Sequence, residues 1–140
     1  MKILFDTNIL LDLLLMRKPY YDSVVQLVSL VETRIIEGWL CPNTVSMVHY
    51  LLSEALDEEQ ATGHLATLLN MYQVSGVNQE TLNQANKGGY SDYNYALTYQ
   101  SALQAGVDAI LTRNQEQYSE KNLPILTPDK LLALLNSLEN

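Results

Sequence analysis

Two aspartates stand at the start of predicted helices, and their positions suit metal-dependent chemistry. Asp6 directly follows the short apolar run 3–5, and Asp92 opens a later helical segment. Mg²⁺ takes oxygen ligands, often one or two carboxylates, and completes its shell with water and phosphate oxygens. A metal ion held in this way activates water and neutralises charge on a phosphodiester. The pair Asp6 and Asp92 therefore predicts a divalent-metal site.

Each aspartate also has a purely structural interpretation. A carboxylate between a strand and a helix is a common N-cap, and that role would explain Asp6 without any ligand. Asp92 stands at a helix start, where the helix dipole favours negative charge. The local pattern alone leaves both interpretations open.

The segments around these aspartates alternate between strand and helix patterns. Short apolar strands are predicted at 2–5, 39–41, 73–77, 108–112 and 124–126. Helical spacing of apolar residues is found at 9–16, 20–37, 45–52, 57–72, 80–86 and 92–105, and a last helix starts at 128. Gly38 is the predicted stop of the second helix, and Asn43 or Thr44 the predicted cap of the third. The alternation predicts an α/β fold with a mainly parallel sheet, in a single domain spanning 1–140.

A parallel sheet brings the carboxyl ends of its strands to one edge, where ligands bind. Asp6 lies at such an end, and Arg113 and Asn114 follow the 108–112 strand. Asp92 shares a helical face with Tyr95 and is expected to face the same edge. We therefore expect Asp6 and Asp92 to meet there, with Asn114 as a third, neutral partner.

The overall charge restricts the ways in which the chain can bind nucleic acid. It has 140 residues, a net charge of -8 and only eight Lys and Arg residues. A binder that relies on electrostatics alone is normally basic, so any nucleic-acid role must be local to one site. The single cysteine, Cys41, excludes an intrachain disulfide and favours a reducing compartment. No run reaches the roughly eighteen apolar residues of a membrane span, so we expect a cytoplasmic protein.

Three segments in this order resemble the PIN domain family, the metal-dependent ribonucleases that include many bacterial toxin components. They are the opening FDTNILLDLLL, the stretch DYNYALTYQSALQAGVDAILTRNQEQY and the closing NLPILTPDKLLALL. The resemblance covers essentially the whole chain. It implies a three-layer α/β/α fold, RNA as the substrate, and an acidic site that binds Mg²⁺ or Mn²⁺.

The chain departs from the family's acidic pattern at several positions. Asp6 matches the first family acid, and Asp92 matches the first acid of the family's D-x-x-D-A stretch. The second acid of that stretch falls on Tyr95, and the mid-chain acid falls near Met47. The last acid falls on Asn114 or on Gln117.

The resemblance implies a role for each matching position. Asp6 and Asp92 are the implied metal ligands, and together with Asn114 they form the implied catalytic set. Thr7 and Asn8 match the neighbours of the first acid and are expected to shape the turn and to hydrogen-bond the carboxylate. Substrate binding is assigned to Thr7, Asn8, Lys87 and Arg113. The two cations in that set are assigned from their position near the predicted sheet edge, and Arg17 and Lys18 are further candidates for phosphate contact.

Two functions remain open on the sequence. The first is an Mg²⁺- or Mn²⁺-dependent endoribonuclease that forms the toxin part of a toxin–antitoxin system. The second is a catalytically impaired PIN-like module that binds RNA or a protein partner without cleavage. An antitoxin-like partner and a homodimer built through helices 9–16 and 45–52 are further expectations.

Overall fold

A computed structural model gives the fold and describes residues 1–119 and 122–139. Residues 120, 121 and 140 of the predicted domain lie outside the described part. The strands are β1 (Lys2–Phe5), β2 (Glu37–Leu40), β3 (Gln73–Val74), β4 (Ala109–Leu111) and β5 (Ile125–Leu126). They form one sheet in the order β3-β2-β1-β4-β5, and every pairing between them is parallel. The predicted α/β fold with a mainly parallel sheet is confirmed.

Seven helices connect and cover the strands of the described chain. They are α1 (Thr7–Leu14), α2 (Tyr21–Glu32), α3 (Pro42–Ala55), α4 (Glu58–Met71), α5 (Gln79–Ala85), α6 (Tyr93–Ala105) and α7 (Pro128–Glu139). A 3₁₀ turn, Gln115–Gln117, follows β4.

The central strand β1 supplies side chains to both faces of the sheet. Ile3 and Phe5 pack into one core with α1, α2, α3, α4 and α7, whereas Leu4 packs into a second core with α6. Successive side chains of a strand point to opposite faces, so three buried residues in a row require cover on both sides. The result is the three-layer α/β/α arrangement that the resemblance implied.

The second helix is shorter than predicted, because a turn and a strand occupy its expected last part. It ends at Glu32, and Arg34 adopts a left-handed φ of 63° in the turn that follows. Gly38 therefore does not stop a helix; it lies within β2. Apolar residues at helical spacing did not distinguish a helix from a turn that leads into a buried strand.

The predicted cap of α3 is also wrong. The helix starts at Pro42, and Cys41 is the N-cap residue, although its side chain makes no capping hydrogen bond to a backbone N–H. Proline favours the first helical position because it has no backbone N–H to satisfy. Other ends agree with prediction, since Gly106 closes α6 with φ 71° and Pro128 starts α7.

None of the helices in the described part of the chain is long and apolar enough to cross a membrane.

Candidate functional site

The first component of the site is the Asp6 carboxylate at the end of β1. The backbone N–H of Asp6 donates to the carbonyl of Leu111 (3.0 Å), which keeps the end of β1 beside β4. Asp6 is the N-cap of α1, and its Oδ1 accepts from the backbone N–H of Thr7 (2.8 Å). Only 4% of Asp6 is exposed. The capping interpretation of Asp6 is therefore confirmed, although capping leaves its other oxygen to be explained.

The second oxygen of Asp6 lies in a network of polar side chains. Oδ2 accepts from the hydroxyl of Thr112 (2.9 Å), the hydroxyl of Tyr118 (3.0 Å) and the amide of Asn8 (3.4 Å). Burial raises the pKa of Asp6, and these hydrogen bonds offset only part of that effect. The carboxylate is thus fixed in position, and no cation of the described residues forms an ion pair with it.

Asn8 joins the ends of the two central strands. Its Oδ1 accepts from the backbone N–H of Arg113 (3.0 Å), and its Nδ2 donates to the hydroxyl of Thr112 (3.1 Å). Thr7 donates from its hydroxyl to the hydroxyl of Thr44 on α3 (3.2 Å). These bonds give Thr7 and Asn8 the turn-shaping positions expected from the sequence.

The second carboxylate, Asp92, lies at the start of α6. It is the N-cap residue, and its side chain accepts from the backbone N–H of Asn94 (2.9 Å). One turn into the helix, the Tyr95 hydroxyl accepts from Nδ2 of Asn114 (3.2 Å). The pKa of Tyr95 is raised chiefly by burial, and the charges of Asp6 and Asp92 both add to the increase. The Tyr95 hydroxyl is therefore near both carboxylates.

Both predicted metal ligands and the third predicted partner face a single cavity of about 200 Å³. We call it the carboxylate cavity. It is lined by Asp6, Thr7, Asn8, Leu11, Arg17, Asn43, Met47, Asp92, Asn94, Tyr95, Thr98 and Asn114. Asp6, Asp92, Asn114, Thr7 and Asn8 thus meet as the sequence predicted. The edge of the parallel sheet brings them together.

Arg113 and Lys87, two of the predicted phosphate-binding cations, lie elsewhere. The guanidinium of Arg113 donates to Asp12 through Nε (2.5 Å) and Nη2 (3.2 Å) and stacks on Tyr20 at 4.0 Å. Arg113 lines a separate cavity with Pro19 and Tyr20. Lys87 lies in the turn after α5 and is not among the described residues lining the carboxylate cavity.

Several lining residues were not singled out as site residues from the sequence. Asn43, Asn94 and Thr98 add amide and hydroxyl groups to the carboxylate cavity, which is also lined by Arg17, a candidate phosphate contact from the sequence. Tyr118 is a further addition, because it contacts Asp6 from 112 residues away in the chain. Thr112 was predicted only as the last residue of a strand, and nothing local in the sequence indicated Tyr118.

The donors around the cavity decide how a metal ion would be held. Within residues 1–119 and 122–139, no group of three or more His, Cys, Asp or Glu side chains is arranged to hold a metal ion. Two carboxylates and the amide oxygen of Asn114 remain. Mg²⁺ binds through one or two carboxylates when water and phosphate oxygens complete its shell. The donor set therefore meets the minimum for a substrate-assisted site.

The sequence model of the PIN domain matches residues 2–116. This chain belongs to the PIN domain family. The family assigned from the resemblance is therefore confirmed. No curated protein sequence shows significant similarity to this PIN-domain chain.

Solved structures share the fold of this PIN domain at low sequence identity. A toxin–antitoxin complex from Klebsiella pneumoniae matches with a TM-score of 0.68 and 19% identity, over 90% of this chain and 97% of that one. VapBC2 from Rickettsia felis, bound to a DNA fragment from its promoter, matches with a TM-score of 0.67 and 17% identity, over 91% and 98%. VapC20 from Mycobacterium tuberculosis, a toxin that cleaves the sarcin-ricin loop, matches with 0.63 and 13%, over 77% and 86%.

Two residues that line the carboxylate cavity differ from the acidic pattern of the PIN family. Met47 and Tyr95 stand at or near positions where the resemblance expects acids, and both line the carboxylate cavity. The resemblance thus predicts a phenol in the place of one acid and a thioether near the place of another. A phenol with a raised pKa stays protonated at neutral pH and does not replace a carboxylate.

Proposed function

We propose that this PIN domain is a divalent-metal-dependent endoribonuclease of the toxin type, with its reaction centre in the carboxylate cavity. The observation that carries the proposal is the meeting of Asp6 and Asp92 in one cavity, although they come from distant parts of the chain. VapC20 from Mycobacterium tuberculosis is a toxin that cleaves the sarcin-ricin loop, and we extend the RNA class of substrate to this chain.

In this proposal Asp6 and Asp92 hold Mg²⁺ or Mn²⁺, and Asn114 contributes its amide oxygen. Oδ1 of Asp6 accepts a single hydrogen bond within the described residues, so it has a lone pair for a further contact. Burial penalises the charge of Asp6, and a cation beside it would offset that penalty. When bound, the ion activates water and neutralises charge on the phosphodiester.

The protein's own contribution is to hold the ligands in place. Thr112 and Tyr118 fix Oδ2 of Asp6, and Asn8 ties the same oxygen to the end of β4. The N–H of Asn94 fixes the Asp92 side chain at the start of α6. Ligands held by their neighbours before the metal arrives need less reorganisation when it binds.

The test is RNA cleavage in Mg²⁺ or Mn²⁺ by the wild-type protein and by Asp6→Asn and Asp92→Asn. We expect both substitutions to reduce the cleavage rate by at least about a hundredfold, as loss of metal binding does in comparable sites. Asp57→Asn is the matched control, because Asp57 is an exposed N-cap of α4 outside the cavity. Cleavage that persists in Asp6→Asn at the wild-type rate would exclude the proposed centre.

A second function, binding without cleavage, is favoured by one specific observation. Met47 and Tyr95 occupy cavity positions where acids are expected, so metal affinity rests on few charges. Calorimetric titration with Mn²⁺ separates the two functions. Binding that Asp6→Asn and Asp92→Asn both abolish supports the nuclease, whereas no binding even with RNA present supports the non-catalytic module.

The double variant Met47→Glu, Tyr95→Asp introduces carboxylates at the two cavity positions and gives a second comparison between the nuclease and the non-catalytic module. If the site is impaired, this variant should bind Mn²⁺ at least about tenfold more tightly than the wild-type protein. The control combines the same two substitutions with Asp6→Asn. The gain in Mn²⁺ affinity should then be lost, because the two introduced acids lack the Asp6 carboxylate as a third ligand.

We also propose an antitoxin-type protein partner, a homodimer and a cytoplasmic location. The partner proposal is supported by similar structures that are toxin–antitoxin complexes. The location proposal is supported by Cys41, a buried thiol without a disulfide.

A further inference from the structure

The carboxylate cavity presents an electrostatic problem for an anionic substrate. The chain carries a net charge of -8, and two aspartates line the cavity. A phosphodiester that enters meets like charges, so binding needs at least one cation within reach. The inference below rests on the proposed function and identifies that cation.

Most basic side chains of the described chain are engaged away from this cavity. Lys2 lies over the ring of Trp39, Lys130 donates to Gln115, and Arg34 lines a different cavity beside β2. Arg113 is committed to Asp12. Among the described residues that line the carboxylate cavity, Arg17 is the single cation.

The charge of Arg17 is not consumed by the nearest acid. Asp12 is completely buried and already accepts two hydrogen bonds from Arg113. Nη1 of Arg17 lies 3.9 Å from Oδ1 of Asp12, which is too long for a hydrogen bond. Two guanidinium groups thus share one carboxylate, and the cluster keeps one net positive charge.

The guanidinium N–H donors of Arg17 make no hydrogen bond within the described residues, although its backbone is held. Its backbone N–H donates to the carbonyl of Asp12 (3.0 Å), which fixes the residue just after α1. Its side chain is 43% exposed, and the guanidinium makes no hydrogen bond to any residue in the described ranges. A planar guanidinium with free donors matches the oxygens of a phosphate group.

We propose that Arg17 binds a non-bridging phosphate oxygen of RNA in the carboxylate cavity and so positions the phosphodiester beside Asp6 and Asp92. Arg17 is a positioning residue that acts before and without the metal ion. Of the four cations that the sequence suggested for phosphate contact, Lys87, Arg113, Arg17 and Lys18, only Arg17 lines the carboxylate cavity among the described residues.

The experiment measures binding of a short, fluorescein-labelled single-stranded RNA in EDTA over a range of salt concentrations. Arg17→Gln should weaken binding by roughly tenfold or more, since a hydrogen bond to a charged group is lost. The slope of log K against log salt should become shallower by about 0.7, the value for one lost contact to single-stranded nucleic acid. Arg17→Lys should keep most of the slope, because it keeps the charge.

Arg34→Gln is the control, because it removes the same charge from a different cavity. The affinity and the slope of this control should stay close to the wild-type values, because the substitution changes only the net charge of the protein. Equal affinity and equal slope for Arg17→Gln and the wild-type protein would overturn the proposal. RNA binding that appears only with divalent metal would overturn it as well.

Combined with the cleavage assay on the same variants, this measurement distinguishes the Arg17 proposal from the nuclease proposal. Metal-free binding that depends on Arg17 can occur in a protein that never cleaves RNA. Conversely, metal-dependent cleavage that Asp6→Asn abolishes can persist in Arg17→Gln at unchanged substrate affinity. The first result would support Arg17 and reject the nuclease, and the second would do the reverse.

Discussion

At the residue scale, Asp6 accepts four hydrogen bonds and still has a raised pKa, because burial outweighs them. A carboxyl group whose pKa is raised in the folded protein binds more protons there than in the unfolded chain. The contribution of Asp6 to stability is therefore largest in acid. It declines as the pH rises from near 3.8 through the raised folded value.

Asp6→Asn should remove this pH dependence. The difference in unfolding free energy, variant minus wild type, should become more positive as the pH rises above about 3.8. Its absolute value at neutral pH also includes the replacement of one acceptor oxygen of the Asp6 network by an amide group, so the trend with pH is the diagnostic quantity. Urea unfolding at a series of pH values measures it, with Asp57→Asn as an exposed N-cap control. A difference that stays constant with pH would contradict the prediction.

At the element scale, a buried ion pair ties α1 to the segment after β4. Asp12 on α1 is completely buried, and Arg113 follows the strand with a 2.5 Å contact to it. The sequence showed Asp12 only as an acid that interrupts an apolar helix. Its partner lies 101 residues away, so nothing in either segment alone indicated the pair.

Arg113→Met should destabilise the protein by about 3–5 kcal/mol, because it leaves Asp12 buried with only the more distant Arg17. The double variant Asp12→Leu, Arg113→Met should recover most of that loss, since it also removes the uncompensated charge. Urea unfolding of the wild-type protein, of each single variant and of the double variant gives a complete double-mutant cycle. If Arg113→Met lowers the unfolding free energy by less than about 1 kcal/mol, the pair contributes no more than an exposed salt bridge.

A second contact between elements depends on the absence of a side chain at Gly38. A Cβ at this position in β2 would lie 2.5 Å from Cε2 of Tyr72 and 3.0 Å from Cγ1 of Val31. Tyr72 is buried, and its ring packs edge-on against Phe5 with centroids 5.1 Å apart. The ring therefore has little room to move away.

Gly38→Ala should lower the unfolding free energy by about 1–3 kcal/mol through overpacking. Gly63→Ala is a matched control, because Gly63 lies inside α4 with nothing within 4 Å of the added Cβ. That control should raise stability by about 0.5–1 kcal/mol through helix propensity. Thermal and urea unfolding compare the two, and equal effects of the two substitutions would count against the close-contact argument.

At the scale of the whole molecule, the structure narrows the proposed homodimer surface. The sequence suggested pairing through helices 9–16 and 45–52. Ile9, Leu10 and Leu11 of α1 are instead buried within the chain's own core. On α3, Tyr50 remains 61% exposed, which leaves this helix as the better candidate.

The wild-type protein should therefore behave as a dimer of 15.8 kDa chains, and Tyr50→Asp should shift it to the monomer by placing a charge in an apolar interface. Size-exclusion chromatography with light scattering measures the mass. Leu138→Asp on α7 serves as the comparison, since Leu138 is 66% exposed on a different surface. A dimer that survives Tyr50→Asp and dissociates in Leu138→Asp would assign the interface to α7 instead.

The sequence by itself determined the alternation of strands and helices and the order of the three PIN-like segments. It also determined the meeting of Asp6, Asp92 and Asn114. These features follow from local patterns and from one rule, that parallel strands end at the same edge of a sheet. The helix stop assigned to Gly38 and the cap assigned to Asn43 or Thr44 failed. Gly38 lies within strand β2 instead of at a helix end, and Pro42 at the first helical position moves the start of α3 ahead of Asn43.

Only the tertiary structure decided which cations are free and how Asp6 is held. Arg113 and Arg17 are indistinguishable as residue types, yet the fold gives Arg113 two hydrogen bonds to Asp12 and leaves Arg17, 3.9 Å from the same carboxylate, in the lining of the carboxylate cavity. Tyr118 reaches Asp6 in the same way, across most of the chain. Pairing and burial depend on contacts between residues far apart in sequence, so no local pattern could assign them.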